Sequence, residues 1–549
     1  MELPEVPLPE PAESVERFLA WCAPLIDADE LAETEKATAE FLAGPAAALQ
    51  EELRAYAADP AAGADSWLDD FWAYRYLGRR DRIALNANFF FLFREAEPAD
   101  QLVRAGELTA AAVALKLRID EGRVPPIVRR GRPTSSAQLP EVFSTTRIPG
   151  EPQDTVRVAD TSARHVVVLR DGAMHSLDVL DADGLPYPAA AITEALRALP
   201  AEEGEGVGAL TSGARAQWAA DRARLDPTAL EIVETALLFV CLEAGDPPGT
   251  QEACDRLLAG DAANRWFDKA LSIVVFPGGR AGVNIEHCRL DGTTVLQAVE
   301  EILGPQEDRP TSTGTPAPQR IDFGGVARDR IAQARQEFAG YAAANATRCL
   351  TFGFGSTAIK ALGVSPDAFV QMAYQLAHRR AKGLTGATYE SIATREYAGG
   401  RTEAMRVVTP EVVAFADALT SGADRATRKA TFAAAVRAHG ARARDCQEGR
   451  APEQHLWELA RRAREEPAFL RSPGWLTMRD DYLSTSSAPS ESIEFFGFGS
   501  TGERCIGVAY VLLPDRFHLY LSTPVSVAEQ LERFADELAR ALDELRELA

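Results

Sequence analysis

The sequence has few cysteines, and their spacing carries no pattern. Seven cysteines are scattered over 549 residues, and no two of them form a C-x-x-C pair. We therefore expect neither a disulfide framework nor a structural zinc site, and no other ligand spacing suggests a metal or a prosthetic group. Reduced, scattered cysteines are typical of the cytoplasm, where we expect this protein.

Long apolar runs are also missing. The longest, such as VETALLFVCL at 233–242, have about ten residues, half of what a membrane-spanning helix needs. The N-terminal stretch MELPEVPLPEPAESVERF is acidic and rich in proline. It has neither the basic start nor the apolar centre of a signal peptide. These features predict a protein that does not associate with membranes.

Positive charge is in short supply. The chain has 58 Lys and Arg against 81 Asp and Glu, a formal net charge of -23. Such a surface repels nucleic acids and anionic membranes, so we expect no nucleic-acid partner. A local basic pocket for a small anionic ligand would stand out against this background.

The chain is too long for one hydrophobic core, and its texture changes along its length. Residues 13–120 have helical spacing, 144–330 alternate between strands and helices, 326–470 are helical again, and 481–525 read as strands before a long amphipathic helix. HVVVLRDGAMHSLDVLDADG and SIVVFPGGRAGVNIEH predict hairpins. The segment 304–320 is a predicted linker or surface loop. We predict an α/β protein with mixed sheets and domains at 1–325 and 326–549.

Two glycine-rich motifs are misleading. Gly497, Gly499 and Gly502 form a G-x-G-x-x-G, but the residues after them, ERCIGVAYVLL, predict a strand. A dinucleotide-binding turn needs a helix there. FGFGST occurs twice, and neither copy continues into the lysine of a phosphate-binding loop.

His287 and the run Ser484–Ser487 are the first candidates for chemistry. His287 ends the strand-like VNIEH, just before a turn, and an imidazole so placed suits a general base. A strand-end histidine is more often a buried hydrogen-bonding residue. Four hydroxyls in a row usually form a loop, but they also suit a developing oxyanion. Asp291 has an ordinary role as a helix N-cap.

Ser365-Pro366-Asp367 predicts a helix start, with serine as N-cap and proline in the first turn. Lys360 lies five residues upstream, where an ammonium and backbone N–H groups can hold a phosphate together. Capping alone also explains the Ser-Pro-Asp.

Read in order, eleven stretches of this sequence resemble the carnitine/choline O-acyltransferase family, from about residue 15 to 545. They are WLDDFWAYRYLGRRDRIALNAN (67–88), STTRIPGEPQDT (144–155), VGALTSGARAQWA (207–219), ANRWFDKAL (263–271), IEHCRLDG (285–292), SPDAFVQMAYQLA (365–377), TYES (388–391), GGRTEAMR (399–406), EQHLWEL (453–459), LSTSS (483–487) and FFGFG (495–499).

The resemblance implies two chloramphenicol-acetyltransferase-like domains, each a mixed sheet flanked by helices, with an active-site tunnel between them. It implies that His287 is a general base in direct transfer without an acyl-enzyme, and that Ser486 stabilises the oxyanion. Lys360, Ser365 and Asp367 lie where the family binds coenzyme A, which is a co-substrate. The family often has a second lysine at Gly363 or Val364, so an acyl carrier protein is an alternative donor.

The acceptor side departs from the family pattern. Tyr389, Ser391, Thr402, Ser484 and Phe496 match family substrate-binding positions. The arginine that binds the carnitine carboxylate is Gln454, and glutamine cannot supply its charge. Three further family residues are also replaced, a threonine by Ala404 and a pair of tyrosines by Leu139-Pro140. We therefore expect a small-molecule alcohol other than carnitine.

Glu494 stands where long-chain members have glycine and short-chain members a bulky apolar residue. A carboxylate against a fatty chain is costly unless it is paired, so we predict a short or polar acyl group.

Two other functions remain open. One is a carnitine or choline acyltransferase with a rearranged carboxylate site. The other is an inactive relative that binds an acyl thioester or a partner protein, against which the intact His287, Ser484, Ser486 and Lys360 argue. The heavy use of Ala, Arg and Gly favours a bacterial source, and we expect a monomer.

Overall fold

The computed structural model describes residues 3–59, 61, 63–94, 100–129, 131–160, 162–287, 289–324 and 327–549. The helices are α1 Pro11–Cys22, α2 Ala28–Ala43, α3 Ala46–Ala58, α4 Asp69–Leu77, α5 Gln101–Asp120, α6 Ala189–Arg197, α7 Arg215–Arg222, α8 Pro227–Thr235, α9 Thr250–Leu258, α10 Gly292–Leu303, α11 Arg328–Ala343, α12 Ser356–Ala361, α13 Pro366–Lys382, α14 Pro410–Thr420, α15 Arg425–Gln447, α16 Pro452–Arg462, α17 Pro473–Arg479 and α18 Ala528–Leu548.

The strands are β1 Phe89–Phe93, β2 Val128–Arg129, β3 Arg132–Pro133, β4 Thr145–Ile148, β5 Thr155–Val158, β6 His165–Arg170, β7 Ala173–Asp178, β8 Phe239–Leu242, β9 Leu271–Val275, β10 Ala281–Ile285, β11 Gln319–Arg320, β12 Asn345–Phe352, β13 Thr388–Ala393, β14 Thr402–Arg406, β15 Leu483–Ser487, β16 Ile493–Phe498, β17 Ile506–Leu512 and β18 Phe517–Pro524. The predicted loop at 304–320 is without regular structure until β11 begins at Gln319.

Two large mixed sheets organise the fold. The first has eight strands in the order β11-β7-β6-β8-β9-β10-β1-β16, and the second has six in the order β12-β18-β17-β15-β13-β14. Strands β6, β8 and β9 run parallel in the first sheet, as do β13, β15 and β17 in the second. Parallel strands are usually covered on both faces, which explains the mainly apolar sequences of β6, β8 and β9 in the first sheet. The prediction of two mixed sheets flanked by helices is confirmed.

Both hairpins form where the sequence predicts them. Strands β6 and β7 meet at Asp171 and Gly172, whose φ angles are 50° and 77°. Two positive φ angles in succession make the tight turn that matches the twist of the strands. Strands β9 and β10 pair around the Pro-Gly-Gly segment.

Two segments cross the expected boundary between 325 and 326. Strand β16 lies between β15 and β17 in sequence, yet it pairs with β1 at the edge of the first sheet. Helices α1 to α4 contribute to the core of the second sheet, where the Phe18 ring contacts Trp475 at 5.6 Å. The boundary stays a prediction, and the hydrophobic cores do not follow it.

The second sheet has a polar face and an apolar face. Strand registers place Tyr389, Ser484 and Arg406 side by side, so these side chains share one face. The alternating residues, such as Leu483, Val508 and Leu519, pack against α13 and α18 in the core. Helix α18 repeats buried residues every three or four positions, as the amphipathic pattern predicts. The polar face is left for the site.

None of the helices in the described part of the chain has an apolar stretch long enough to cross a bilayer. The six cysteines that fall within the described residues are free thiols. Cys288 lies outside the described residues.

Candidate active site

His287 lies two residues beyond the end of β10, in a buried, aromatic environment. Its Nε2 is 3.3 Å from the Tyr76 hydroxyl, and the two rings are 4.6 Å apart. The Phe89 ring approaches edge-on at 5.3 Å. One ring nitrogen therefore faces a hydroxyl group.

Burial lowers the pKa of His287 below its ordinary value of 6.5. The Arg401 guanidinium lowers this pKa further, while the carboxylates of Asp291 and Glu286 raise it. The net shift is downward, so the imidazole is neutral at neutral pH. A neutral imidazole is the state that a general base requires.

Asp291 occupies the N-cap position of α10, but its carboxylate does not cap the helix. The expected capping role is wrong, because the side chain turns to Arg401 and Gln138. Arg401 donates from Nη2 to Oδ1 at 2.9 Å, and Gln138 donates from Nε2 to Oδ2 at 2.7 Å. The Gln138 Oε1 ties the start of α10 by accepting from the Asp291 backbone N–H at 3.0 Å and from the Thr294 hydroxyl at 2.8 Å.

Arg401 joins the two halves of the chain next to His287. Its guanidinium lies over the Trp72 ring at 4.8 Å and over the Tyr76 ring at 5.1 Å, while it forms an ion pair with Asp291. A planar guanidinium can stack on rings and bind a carboxylate at once, which lysine cannot do. Arg401 thereby positions Tyr76, whose pKa burial raises, so that the phenol keeps its proton.

A buried charge network supports the end of β10 from behind. Arg147 is fully buried and donates to Asp154, to Glu286 at 3.0 Å and to the Tyr76 carbonyl at 2.8 Å. Arg215 donates to the same Asp154 carboxylate at 2.6 Å. Buried charges persist only when they are paired and hydrogen bonded. Arg147 thus connects the residue before His287 with the backbone of the tyrosine that faces it.

The second sheet supplies a wall of hydroxyl groups. Ser484 and Ser486 share the polar face with Tyr389. Thr485 points the other way, donates to the Tyr389 carbonyl at 2.9 Å and accepts from Gln371 at 2.9 Å. Thr485 therefore holds the strand, and the two serines are the ones available for a ligand.

Gln454 and Arg406 mark the far end of this wall. The Gln454 Nε2 donates to the Thr402 carbonyl at 2.9 Å. Arg406 lies over the Tyr389 ring at 5.7 Å, and its guanidinium is held by Glu453 at 2.6 Å and Asp481 at 2.5 Å. Tyr389 also influences the pKa of Tyr76, the hydrogen-bonding partner of His287. Strand β14 follows directly on Arg401, which lies over the Tyr76 ring, so the acceptor-side strand begins beside the partner of His287.

The predicted coenzyme A residues gather at the start of α13. Ser365 is its N-cap residue, and its side chain makes no capping hydrogen bond. Lys360 is exposed on α12. Gly363 has φ +74°, a conformation that lysine rarely adopts, which explains why the second family lysine is missing there. The arrangement leaves one exposed ammonium beside a helix N-terminus.

Asp367 is engaged in a buried cluster. It accepts from the Tyr510 hydroxyl at 2.7 Å, and it lies with Glu390 and His439 so that one ligand atom of each is within 4.8 Å of the others. Burial, and then Asp367, raise the pKa of Glu390, while His439 donates to it at 2.9 Å. These hydrogen bonds account for the cluster without a metal ion.

Glu494 is paired. Arg280 donates to its carboxylate at 3.1 Å and to the Thr250 hydroxyl at 3.0 Å. Phe496, on the same strand, contacts Phe89 at 6.3 Å, and Phe89 contacts His287. Strand β16 therefore contributes both a carboxylate that forms an ion pair, Glu494, and a ring, Phe496, that contacts a neighbour of His287.

Sequence reasoning gave no role to Tyr76 or Arg401, and it misassigned Asp291. Tyr76 and Arg401 lie within stretches that carry the family resemblance, and this was the available signal. Their contacts join residues more than one hundred positions apart, which no local pattern reveals. The roles of the predicted site residues stay predictions; the strand registers show that Tyr389, Ser391, Thr402, Ser484 and Ser486 share one face of the second sheet.

Comparisons with known proteins show what the whole chain is similar to. The model of the family described as Choline/Carnitine o-acyltransferase matches residues 6–540. Mitochondrial carnitine O-palmitoyltransferase 2 of Macaca fascicularis is 27% identical, covering 93% of this chain and 86% of that protein. The muscle isoform of carnitine O-palmitoyltransferase 1 of Homo sapiens is 29% identical, covering 100% and 77%. Among solved structures, TRI3 trichothecene 15-O-acetyltransferase of Fusarium sporotrichioides aligns with a TM-score of 0.42 and 10% identity, covering 86% of this chain and 93% of that one.

Proposed function

Because the chain belongs to the choline/carnitine O-acyltransferase family, we propose that it moves a short or polar acyl group to the hydroxyl of a small-molecule alcohol other than carnitine. Membership makes the chain an O-acyltransferase that uses a coenzyme A thioester as co-substrate, without a prosthetic group. The observation that carries the proposal is a buried, neutral His287 whose Nε2 faces a hydroxyl group.

The proposed reaction is a direct transfer. The alcohol oxygen attacks the thioester carbonyl while His287 takes the hydroxyl proton, and the imidazolium then returns that proton to the leaving thiolate. The hydroxyl groups of Ser486 and Ser484 donate to the developing oxyanion. Histidine acts as a base and not as a nucleophile, so no acyl-enzyme forms.

The charge at the acceptor site argues against carnitine. A carboxylate is best held by a free guanidinium, and Gln454 carries no charge. Arg406, which lies on the same face as Tyr389, already binds Glu453 and Asp481. The relatives named carnitine O-palmitoyltransferase favour a second candidate, a carnitine enzyme with a rearranged carboxylate site.

The donor side supports a short or polar acyl group on coenzyme A. The Glu494–Arg280 pair lowers the cost of a carboxylate at this position but leaves the site polar. Lys360 and the α13 N-terminus suit a phosphate, and the single lysine keeps an acyl carrier protein as an alternative donor. Composition supports the proposed bacterial source and cytoplasmic location. We propose that the protein is a monomer.

The test follows free thiol. Purified protein is incubated with one donor at a time: acetyl-, malonyl-, octanoyl- or palmitoyl-CoA, or an acyl carrier protein loaded with an acetyl group. Each donor is combined with carnitine, with choline, or with a pool of polyols and secondary alcohols. We expect thiol release with a short donor and an alcohol other than carnitine. Rapid turnover of palmitoyl-CoA with carnitine would establish the second candidate instead.

Replacing the proposed base tests the mechanism. His287→Ala should lower kcat by at least about 100-fold, the contribution of a positioned base, without changing the melting temperature by more than a few degrees. A His287→Ala enzyme with normal turnover would exclude this mechanism. Coenzyme A binding without thiol release from any pair would favour the inactive relative.

A further inference from the structure

We propose that Gln454 selects an acceptor alcohol bearing an uncharged polar group with an N–H or O–H, a carboxamide or a second hydroxyl, in place of a carboxylate. This inference rests on the proposed function and names the class of its acceptor.

The orientation of the Gln454 amide follows from its neighbour. The Thr402 carbonyl can only accept, so the amide nitrogen of Gln454 must face it, and the two atoms are 2.9 Å apart. The oxygen Oε1 then points elsewhere. It is buried and has no hydrogen-bond partner among the residues that the structure describes, in a side chain that is 5% exposed. A buried carbonyl oxygen of this kind calls for a donor.

The charges around Gln454 cancel. Arg406 binds Glu453 and Asp481, and Arg479 donates to Glu453 at 3.2 Å, so two guanidinium groups face two carboxylates. Arg75 lies at the surface over Trp457, where solvent screens it. Arg75 still lowers the pKa of Tyr389 and Glu453, but the buried guanidinium groups of Arg406 and Arg479 are already paired with carboxylates.

Hydroxyl donors complete the site. Thr402 and Ser391 share the polar face with Tyr389, whose pKa burial raises, so that the phenol keeps its proton. These groups can donate to the oxygen of an acceptor while its N–H or O–H donates to Gln454. The carboxylate of an acceptor would accept hydrogen bonds from these hydroxyl groups, but it would also place an oxygen without a proton against the Gln454 Oε1, which needs a donor. The site therefore contains an element that repels carboxylates.

The geometry keeps this group within reach of the base. Gln454 donates to the Thr402 carbonyl, and the preceding residue, Arg401, lies over the Tyr76 ring at 5.1 Å. The Tyr76 hydroxyl is 3.3 Å from His287 Nε2. An acceptor whose polar group rests on Gln454 is thus placed with its reacting hydroxyl on the histidine side.

The experiment compares matched acceptors. Carnitine and its carboxamide, and 3-hydroxybutyrate and 3-hydroxybutyramide, differ only in the group that would meet Gln454. With acetyl-CoA as donor, kcat/KM should favour the amide by at least about 100-fold, because a buried polar group rejects a partner that cannot pair with it. Gln454→Arg should invert the preference. Gln454→Met should reduce it to less than about tenfold, by removing both hydrogen bonds of the amide without adding charge.

Gln333→Arg is the matched control, since it adds the same charge at an exposed position on α11 and should leave the ratio unchanged. A wild-type preference for the carboxylates overturns the inference. A ratio of amide to carboxylate kcat/KM that is unchanged in either Gln454 variant also overturns it. A binding measurement distinguishes failure of this inference from failure of the proposed function. If no acceptor is acylated but the amides alone raise the melting temperature, the acceptor class stands and the proposed function falls.

Discussion

At the scale of single residues, the chemistry of His287 is decided by groups from both halves of the chain. Burial and Arg401 lower its pKa, whereas Asp291 and Glu286 raise it. Asp291 and Arg401 bind each other, so each partly masks the effect of the other. The ion pair beside the base therefore tunes a proton transfer without touching the reacting atoms.

This tuning predicts two opposite shifts in the pH profile. In the wild type the acid limb of kcat/KM should lie below pH 6.5, because the neutral base persists until the pH falls through its lowered pKa. Asp291→Asn removes a charge that raises this pKa, so the limb should move to lower pH. Arg401→Gln removes a charge that lowers it, so the limb should move to higher pH.

The measurement is kcat/KM for the fastest donor and acceptor pair between pH 5 and pH 9. A purely structural role for the ion pair predicts lower rates with an unmoved limb in both variants. Shifts in the same direction would exclude the electrostatic account.

At the scale of secondary-structure elements, the glycines in β16 and just after it differ in how much space surrounds them. A Cβ on Gly499 would lie 2.1 Å from the Leu85 carbonyl oxygen, and one on Gly497 would lie 2.3 Å from the Phe90 ring. A Cβ on Gly502 would meet only the Cys505 Cβ, at an ordinary 3.5 Å. The first two glycines of the misleading motif allow close packing of β16, and no phosphate is involved.

Alanine scanning of this motif should separate the glycines. Gly499→Ala should destabilise the fold by about 1–3 kcal/mol, as overpacking against backbone does. Gly502→Ala, its matched control, should stay within about 0.5 kcal/mol of the wild type, as a surface substitution does. Thermal unfolding followed by calorimetry checks both. Equal effects at the two positions would contradict the packing argument.

At the scale of the whole molecule, the two cores are interleaved. Helices α1 to α4 pack into the hydrophobic core of the second sheet, and β16 forms the edge of the first. The buried aromatic residues Phe18, Trp21 and Phe71 would otherwise leave a large apolar surface on the C-terminal half exposed to water. Each half therefore depends on a segment from the other.

Separating the halves tests this dependence. Residues 326–549 expressed alone should lack a cooperative melting transition, because the segment that covers their core is missing. Coexpression with residues 1–325 should restore a soluble complex. A fragment 326–549 that melts cooperatively would show that the predicted boundary separates independent domains.

Local physics made much of this protein predictable from its sequence. The period-two and helical patterns identify the strands between 481 and 525 and helix α18, and the Asp-Gly and Pro-Gly-Gly turns identify two hairpins, because each signal depends on neighbouring residues alone. Strand β1 lies in a segment predicted to be helical, as do β12, β13 and β14, so this part of the prediction is wrong. The order of the motifs identified the family. His287 at the end of a strand and Gln454 in place of an arginine could likewise be read from the sequence.

Only the tertiary structure decided what surrounds these residues. The hydrogen bond from Tyr76, the placement of Arg401 over two rings and beside Asp291, and the unpaired oxygen of Gln454 join positions far apart in the chain. Strand β16 belongs to the first sheet, although β15 and β17, which precede and follow it in sequence, belong to the second. Hydrogen bonds, desolvation and ion pairs act over a few ångströms in space and are indifferent to separation in sequence, so the state of the base and the chemistry of the acceptor site appear only when the chain is folded.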